Sequence, residues 1–140
     1  MTLKKFMALA LSVSLVIGAT LMVGCVGETV AIIEDITTQE ALTMIQDNQN
    51  NPDFVIFDVR TSEEFNEEHI EDAINIDFYS EAFQDTVDIL DKDKTYVVYC
   101  KVGGRSREAL DMMAELNFME AYNILGGIDQ WKVEELPIVE

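Results

Sequence analysis

The sequence predicts an α/β domain: a mostly parallel, five-stranded sheet with helices on both faces. Three observations lead there. Short runs rich in β-branched and aromatic residues alternate with segments of helical spacing. Two of those runs, Phe54-Val55-Ile56-Phe57 and Tyr96-Val97-Val98-Tyr99, are apolar throughout, as strands covered on both faces are. And some 110 residues follow the apolar leader, enough for one domain with its own core.

The elements follow in order. Val30-Ala31-Ile32-Ile33 reads as a first strand. Thr37-Thr38-Gln39-Glu40 has the form of a capping box, opening a helix with Ala41, Leu42, Met44 and Ile45 on its apolar face. A polar loop ending in Pro52 and Asp53 leads to the strand 54–57, which places Asp58 at its rim. Thr61-Ser62-Glu63-Glu64 is a second capping box and starts a short helix through Glu68. Ala73-Ile74-Asn75-Ile76 is a third strand, and Ser80 to Leu90 a helix with Phe83, Val87 and Leu90 in step. The strand 96–99 precedes a helix from about Arg105 to Leu116, whose buried stripe is Ala109, Met112, Met113 and Leu116. Ala121 to Leu125 is a fifth strand. Gly126-Gly127 turns into a last helix in which Trp131 packs.

The leader is a different material. Lys4 and Lys5 precede an uncharged apolar run from Phe6 to Val23, followed by Gly24-Cys25. This reads as a signal peptide over residues 1–24, and Gly24-Cys25 resembles the lipoprotein processing site at which cysteine becomes the lipidated first residue. Residues 25–29 are then the lipidated cysteine and its tether, and 30–140 the folded domain. The expected location is extracytoplasmic, on the cell membrane, held by acyl chains at about 0.8 kcal/mol per buried CH₂. An uncleaved transmembrane anchor is the alternative.

Charge excludes a class of partner. After Cys25 stand seven basic and 27 acidic residues, a net −20. No basic stripe exists to neutralise phosphates, so nucleic acid is excluded. The two cysteines also divide: with Cys25 assigned to lipid, Cys100 has no partner for an intramolecular disulfide. An unpaired thiol in an oxidising compartment is a liability unless its reactivity is used.

Cys100 ends the strand 96–99, and Lys101-Val102-Gly103-Gly104-Arg105-Ser106 follows it. Glycines at 103 and 104 are expected to let the backbone bend until several N–H groups meet at one spot, where the next helix adds its positive end. A thiol so placed is pushed toward thiolate. Both Cys100 and Asp58 fall at strand carboxyl ends, where open parallel sheets bind ligands.

The run Cys100-Lys101-Val102-Gly103-Gly104-Arg105-Ser106 resembles the active-site loop of rhodanese-type sulfurtransferases, Cys-Arg-x-Gly-x-Arg-Ser/Thr. So do Asp58-Val59-Arg60 with Glu64-Phe65, His69-Ile70, Ala73 and Asn75-Ile76, and the closing Leu125-Gly126-Gly127, Trp131 and Leu136-Pro137. Two positions depart: Lys101 stands where arginine is commoner, and Glu135 where glycine often precedes Leu-Pro. The resemblance covers about residues 29–140. It implies the family's three-layer fold and sulfur transfer through a Cys100 persulfide, from a small donor (thiosulfate or a persulfide) to a thiol or cyanide. That chemistry asks for no metal and no cofactor.

The resemblance further implies that residues 101–106 form the substrate-binding loop. Arg105 is expected to shape it and Lys101 to face its mouth. Asp58, Arg60, Glu64 and His69 are expected in support: Asp58 bonded to loop N–H groups, Arg60 paired with Glu64, His69 fixing a turn. Phosphatases of related fold use Cys-x5-Arg. The shorter Cys-x4-Arg here suits a single sulfur rather than a phosphate, and arsenate reduction would want a second thiol. A sulfur-carrier or binding module without appreciable turnover is the alternative function.

Overall fold

Five strands and five helices alternate along residues 30–140, the part of the chain that the computed structural model describes. The expected signal peptide, the lipidation of Cys25 and the tether lie outside those residues. The strands are β1 (Ile32–Ile36), β2 (Phe54–Asp58), β3 (Ile74–Asn75), β4 (Thr95–Tyr99) and β5 (Glu120–Ile124). The helices are α1 (Thr38–Asp47), α2 (Ser62–Glu67), α3 (Phe83–Asp88), α4 (Gly104–Glu115) and α5 (Gly127–Val133).

The two all-apolar runs lie where their composition requires. The sheet order is β1-β5-β4-β2-β3, every neighbouring pair parallel, so β4 and β2 are both flanked by strands. One face packs Phe57, Val98 and Cys100 against Phe83 and Val87 of α3 and Ala109, Leu110 and Met113 of α4. The other packs Ile56, Val97 and Tyr99 against Ala41 of α1 and Ile128 and Trp131 of α5. Three layers result, and the strands' carboxyl ends share one rim.

Both capping boxes form. Thr37 accepts from the Glu40 amide while the Glu40 carboxylate accepts from the Thr37 amide, and Thr61 and Glu64 do the same at α2. Three boundaries differ from expectation. β1 runs later, to Ile36, because pairing with β5 carries the exposed Glu34 and Asp35 into an edge strand. β3 shrinks to two residues. The helix expected over 80–90 begins only at Phe83, because Ser80 to Ala82 form a turn in which the Phe83 amide bonds to the Ser80 carbonyl. In α4 the buried stripe also takes in Ser106 and Leu110, while Met112 and Leu116 are half-buried.

Candidate active site

The β4 strand ends at Tyr99 and delivers Cys100 to the carboxyl rim. Cys100 is 1% exposed, beneath a loop whose Lys101, Val102 and Gly104 are exposed. Its Sγ receives the Gly103 amide at 3.1 Å and the Ser106 hydroxyl at 3.3 Å. Burial pushes the thiol up. The Ser106 hydroxyl and the amides of Ser106, Gly103 and Val102 outweigh it, leaving Cys100 below the ordinary thiol value.

The loop is bent by one glycine, not two. Gly103 has φ +98°, a left-handed conformation, and an added Cβ would press on the Gly126 amide nitrogen at 3.3 Å. Gly104 is the first residue of α4, with an ordinary φ and open space where a Cβ would sit. The expectation that both glycines shape the bend therefore fails at Gly104.

What aims the amides inward is a support the sequence did not reveal. The Ile128 amide donates to the Cys100 carbonyl at 2.9 Å, and the Asp129 amide to the Lys101 carbonyl at 3.0 Å. In a trans peptide the N–H points opposite to the C=O, so drawing those two carbonyls toward α5 turns the Lys101 and Val102 N–H groups the other way. This close approach requires Gly127: a Cβ there would lie 2.4 Å from the Cys100 carbonyl oxygen. A Gly-Gly pair opening a helix was visible in the sequence, but the contact of Gly127 with the carbonyls of Cys100 and Lys101, far earlier in the chain, was not.

Arg105 leaves the first turn of α4 to meet Glu64 of α2 in a two-pronged ion pair, Nη1 to Oε2 at 2.8 Å and Nη2 to Oε1 at 3.0 Å. Its guanidinium also lies 5.5 Å from the Tyr79 ring centroid. The Arg105 hydrogen bonds hold the Glu64 carboxyl down at about 2, against the opposing pull of burial. Arg60 is therefore not the partner of Glu64. It turns back on Asp58, with Nη2 to Oδ2 at 2.7 Å and Nε to both carboxylate oxygens, and donates to the Glu68 carbonyl at 2.6 Å. The Asp58 carboxylate accepts from the Arg60 amide and side chain instead of bonding to the cysteine loop. Arg60 cannot reach outward because both members of its pair are buried.

His69 lies 3.0 Å from the Phe65 carbonyl through Nδ1, stacks on the Phe65 ring, and exchanges backbone hydrogen bonds with Val139. These contacts fix a turn. Arg107 pairs with Asp35 and Asp111 on the α4 surface.

A model of the rhodanese-like domain matches residues 37–134. The chain belongs to that family. It is 35% identical over 80 residues to the thiosulfate sulfurtransferase GlpE of Coxiella burnetii, covering 57% of this chain and 73% of the relative. Against the protein of that name from Glaesserella parasuis it is 31% identical over 104 residues, 74% of this chain and 91% of the relative. Among solved structures it resembles SSP1007 from Staphylococcus saprophyticus, with TM-score 0.61 and 33% identity, covering 74% of this chain and 98% of that one. This rhodanese-like domain thus keeps the family's five-stranded sheet, here parallel throughout.

Proposed function

We propose that this rhodanese-like protein is a sulfurtransferase that carries sulfane sulfur on Cys100. The observation that carries the reading is the donor set on Sγ: the Gly103 amide at 3.1 Å and the Ser106 hydroxyl at 3.3 Å. Such donors hold a thiolate ready to attack, and the same cradle suits the anionic outer sulfur of a persulfide. With thiosulfate, the Cys100 thiolate attacks the outer sulfur, the S–S bond of the donor breaks, and sulfite departs with the electron pair. A thiol or cyanide then takes the outer sulfur and returns the thiolate. The sulfurtransferase relatives support transfer of this general kind.

Phosphatase chemistry has less support. Arg105, which would have to grip a phosphate, is committed to Glu64 through both terminal nitrogens. We place the protein outside the cytoplasmic membrane, on a lipid at Cys25, from the leader alone. A carrier without appreciable turnover on free thiosulfate is the second reading, favoured by one observation: the acidic charge, which slows encounter with a small dianion.

Intact mass after treatment with thiosulfate tests the reading. One added sulfur, removed by cyanide and absent in Cys100→Ser, is the expected result. No gain from any sulfur donor overturns it. Loading without steady-state turnover selects the carrier.

A further inference from the structure

A cavity of about 560 Å³ opens on the face of the sheet that α1 and α5 cover, and no residue of the cysteine loop lines it. It lies over the amino end of β2, between the end of α1, the turn at 70–72 and Pro137. That volume is within the roughly 300–1,000 Å³ of small-molecule sites. Leu42, Ile45, Phe54, Ile70 and Trp131 give it apolar ground. The Trp131 indole N–H already donates to the Pro137 carbonyl at 2.9 Å, so the ring brings apolar and π surface to the cavity rather than a donor. The polar part of the lining has a sign. Asn48 and Asn51 are committed to the loop itself, their amides donating to the Met44 carbonyl and to Asn48 Oδ1. Among the described residues, the side chains of Gln46, Gln49, Asn50, Glu71 and Asp72, all exposed, have no hydrogen bond or ion pair. A free amide serves either charge, but the two carboxylates only accept, and no lysine, arginine or histidine lines the cavity. The chain's net charge of −18 favours the same sign of ligand from a distance.

We propose that this cavity binds a small organic cation, a primary ammonium on an aromatic or alkyl body. The body rests on Trp131 and its apolar neighbours, and the ammonium meets Glu71 and Asp72. The site is separate from Cys100, and its occupancy does not depend on sulfur transfer.

Trp131 is the chain's one tryptophan, so its fluorescence reports on the cavity directly. The full chain is titrated with phenethylammonium, with the neutral phenethyl alcohol and with the anionic hydrocinnamate, which share a phenyl body and differ in the head group. The ammonium should give a saturable change with a midpoint about tenfold or more below that of the alcohol, and hydrocinnamate should give none. Glu71→Gln combined with Asp72→Asn should raise the ammonium midpoint to that of the alcohol and leave the alcohol's own midpoint in place. Both positions are exposed, and asparagine tolerates the φ of +64° at residue 72, so the fold is kept. Glu63→Gln combined with Glu67→Gln removes two exposed carboxylates outside the lining, the same change in net charge, and should leave the ammonium midpoint where it is. No saturable response to phenethylammonium up to about 10 mM overturns the proposal. So do equal midpoints for the ammonium and the alcohol, or a Glu63/Glu67 variant that weakens the ammonium as much as the Glu71/Asp72 variant does. Each of these results leaves the sulfurtransferase reading untouched.

Discussion

Two carboxylate–arginine pairs stand near the carboxyl rim, and they differ in almost every physical respect. Asp58 and Arg60 are two residues apart, their side chains 0% and 4% exposed, closing the end of β2 on itself. Glu64 and Arg105 are 41 residues apart, 28% and 17% exposed, and tie α2 to the first turn of α4. The first pair belongs to the sheet and the second to the loop. A motif containing two arginines and two carboxylates does not say which pairing forms. Burial decides it: an Arg60 enclosed beside Asp58 has its counter-ion supplied locally, which leaves Glu64 for the arginine arriving from across the rim.

The sharpest way to break this contrast is Asp58→Ala. It leaves a buried guanidinium without its anion and should cost about 3–5 kcal/mol of stability, read by urea denaturation. A loss no larger than that of an exposed ion pair would show that Arg60 finds another anion or water, and the distinction between the pairs would fall.

Glu64→Gln should cost less, about 1 kcal/mol, because its pair is partly exposed. Its signature lies in the pH dependence. The Glu64 carboxyl titrates at about 2 when folded, against 4.5 ordinarily, so its contribution is fully present above about pH 4.5. As the pH falls from there toward 2, that contribution is lost, and the wild type should converge on the variant. Amide hydrogen exchange should also separate the pairs: in Glu64→Gln the Val102 and Gly103 amides should exchange faster while the β4 amides do not.

Legibility in the sequence followed the same division between local and distant. Thr37 with Glu40, and Thr61 with Glu64, were readable as capping boxes because the groups involved lie within one helical turn. The apolar runs 54–57 and 96–99 announced central strands because both of their faces had to be covered. Cys100, Gly103 and Ser106 were readable as a motif at a strand's end. The backing of that motif by Ile128, Asp129 and Gly127 was not, since backbone amides carry no residue-type signal and the contact spans the gap between β4 and α5. The partner of Glu64 escaped for a related reason: Arg60, four residues away, fitted helical spacing, but α2 begins only at Ser62 and Arg60 lies outside it.

A finer probe asks whether the loop's own donors, rather than its tether to α2, set the thiolate. Ser106→Ala removes the hydroxyl at 3.3 Å from Sγ and keeps the Glu64–Arg105 pair. The Cys100 thiol, now below its ordinary value, should rise. Thiolate-dependent alkylation by iodoacetamide should then need a higher pH, its midpoint moving up. An unmoved midpoint would assign the effect to the amides alone.

The smallest effects test the backbone, where glycine is present without need at one position and absent at another that would favour it. Gly104 has an ordinary φ and open space around its missing Cβ, whereas Glu135 is held at φ +55°, in the left-handed region that costs a side chain energy. The glycine that the rhodanese resemblance leads one to expect before Leu-Pro would take that φ without strain. Gly104→Ala should therefore stabilise by about 0.4–1 kcal/mol, by limiting the unfolded chain, and leave the Cys100 midpoint where it is. Glu135→Gly should stabilise by about 1 kcal/mol through relief of the left-handed strain, less what the freer unfolded chain takes back. If Gly104→Ala instead moved the Cys100 midpoint, residue 104 would belong to the cradle after all, and the bend could no longer be credited to Gly103 alone.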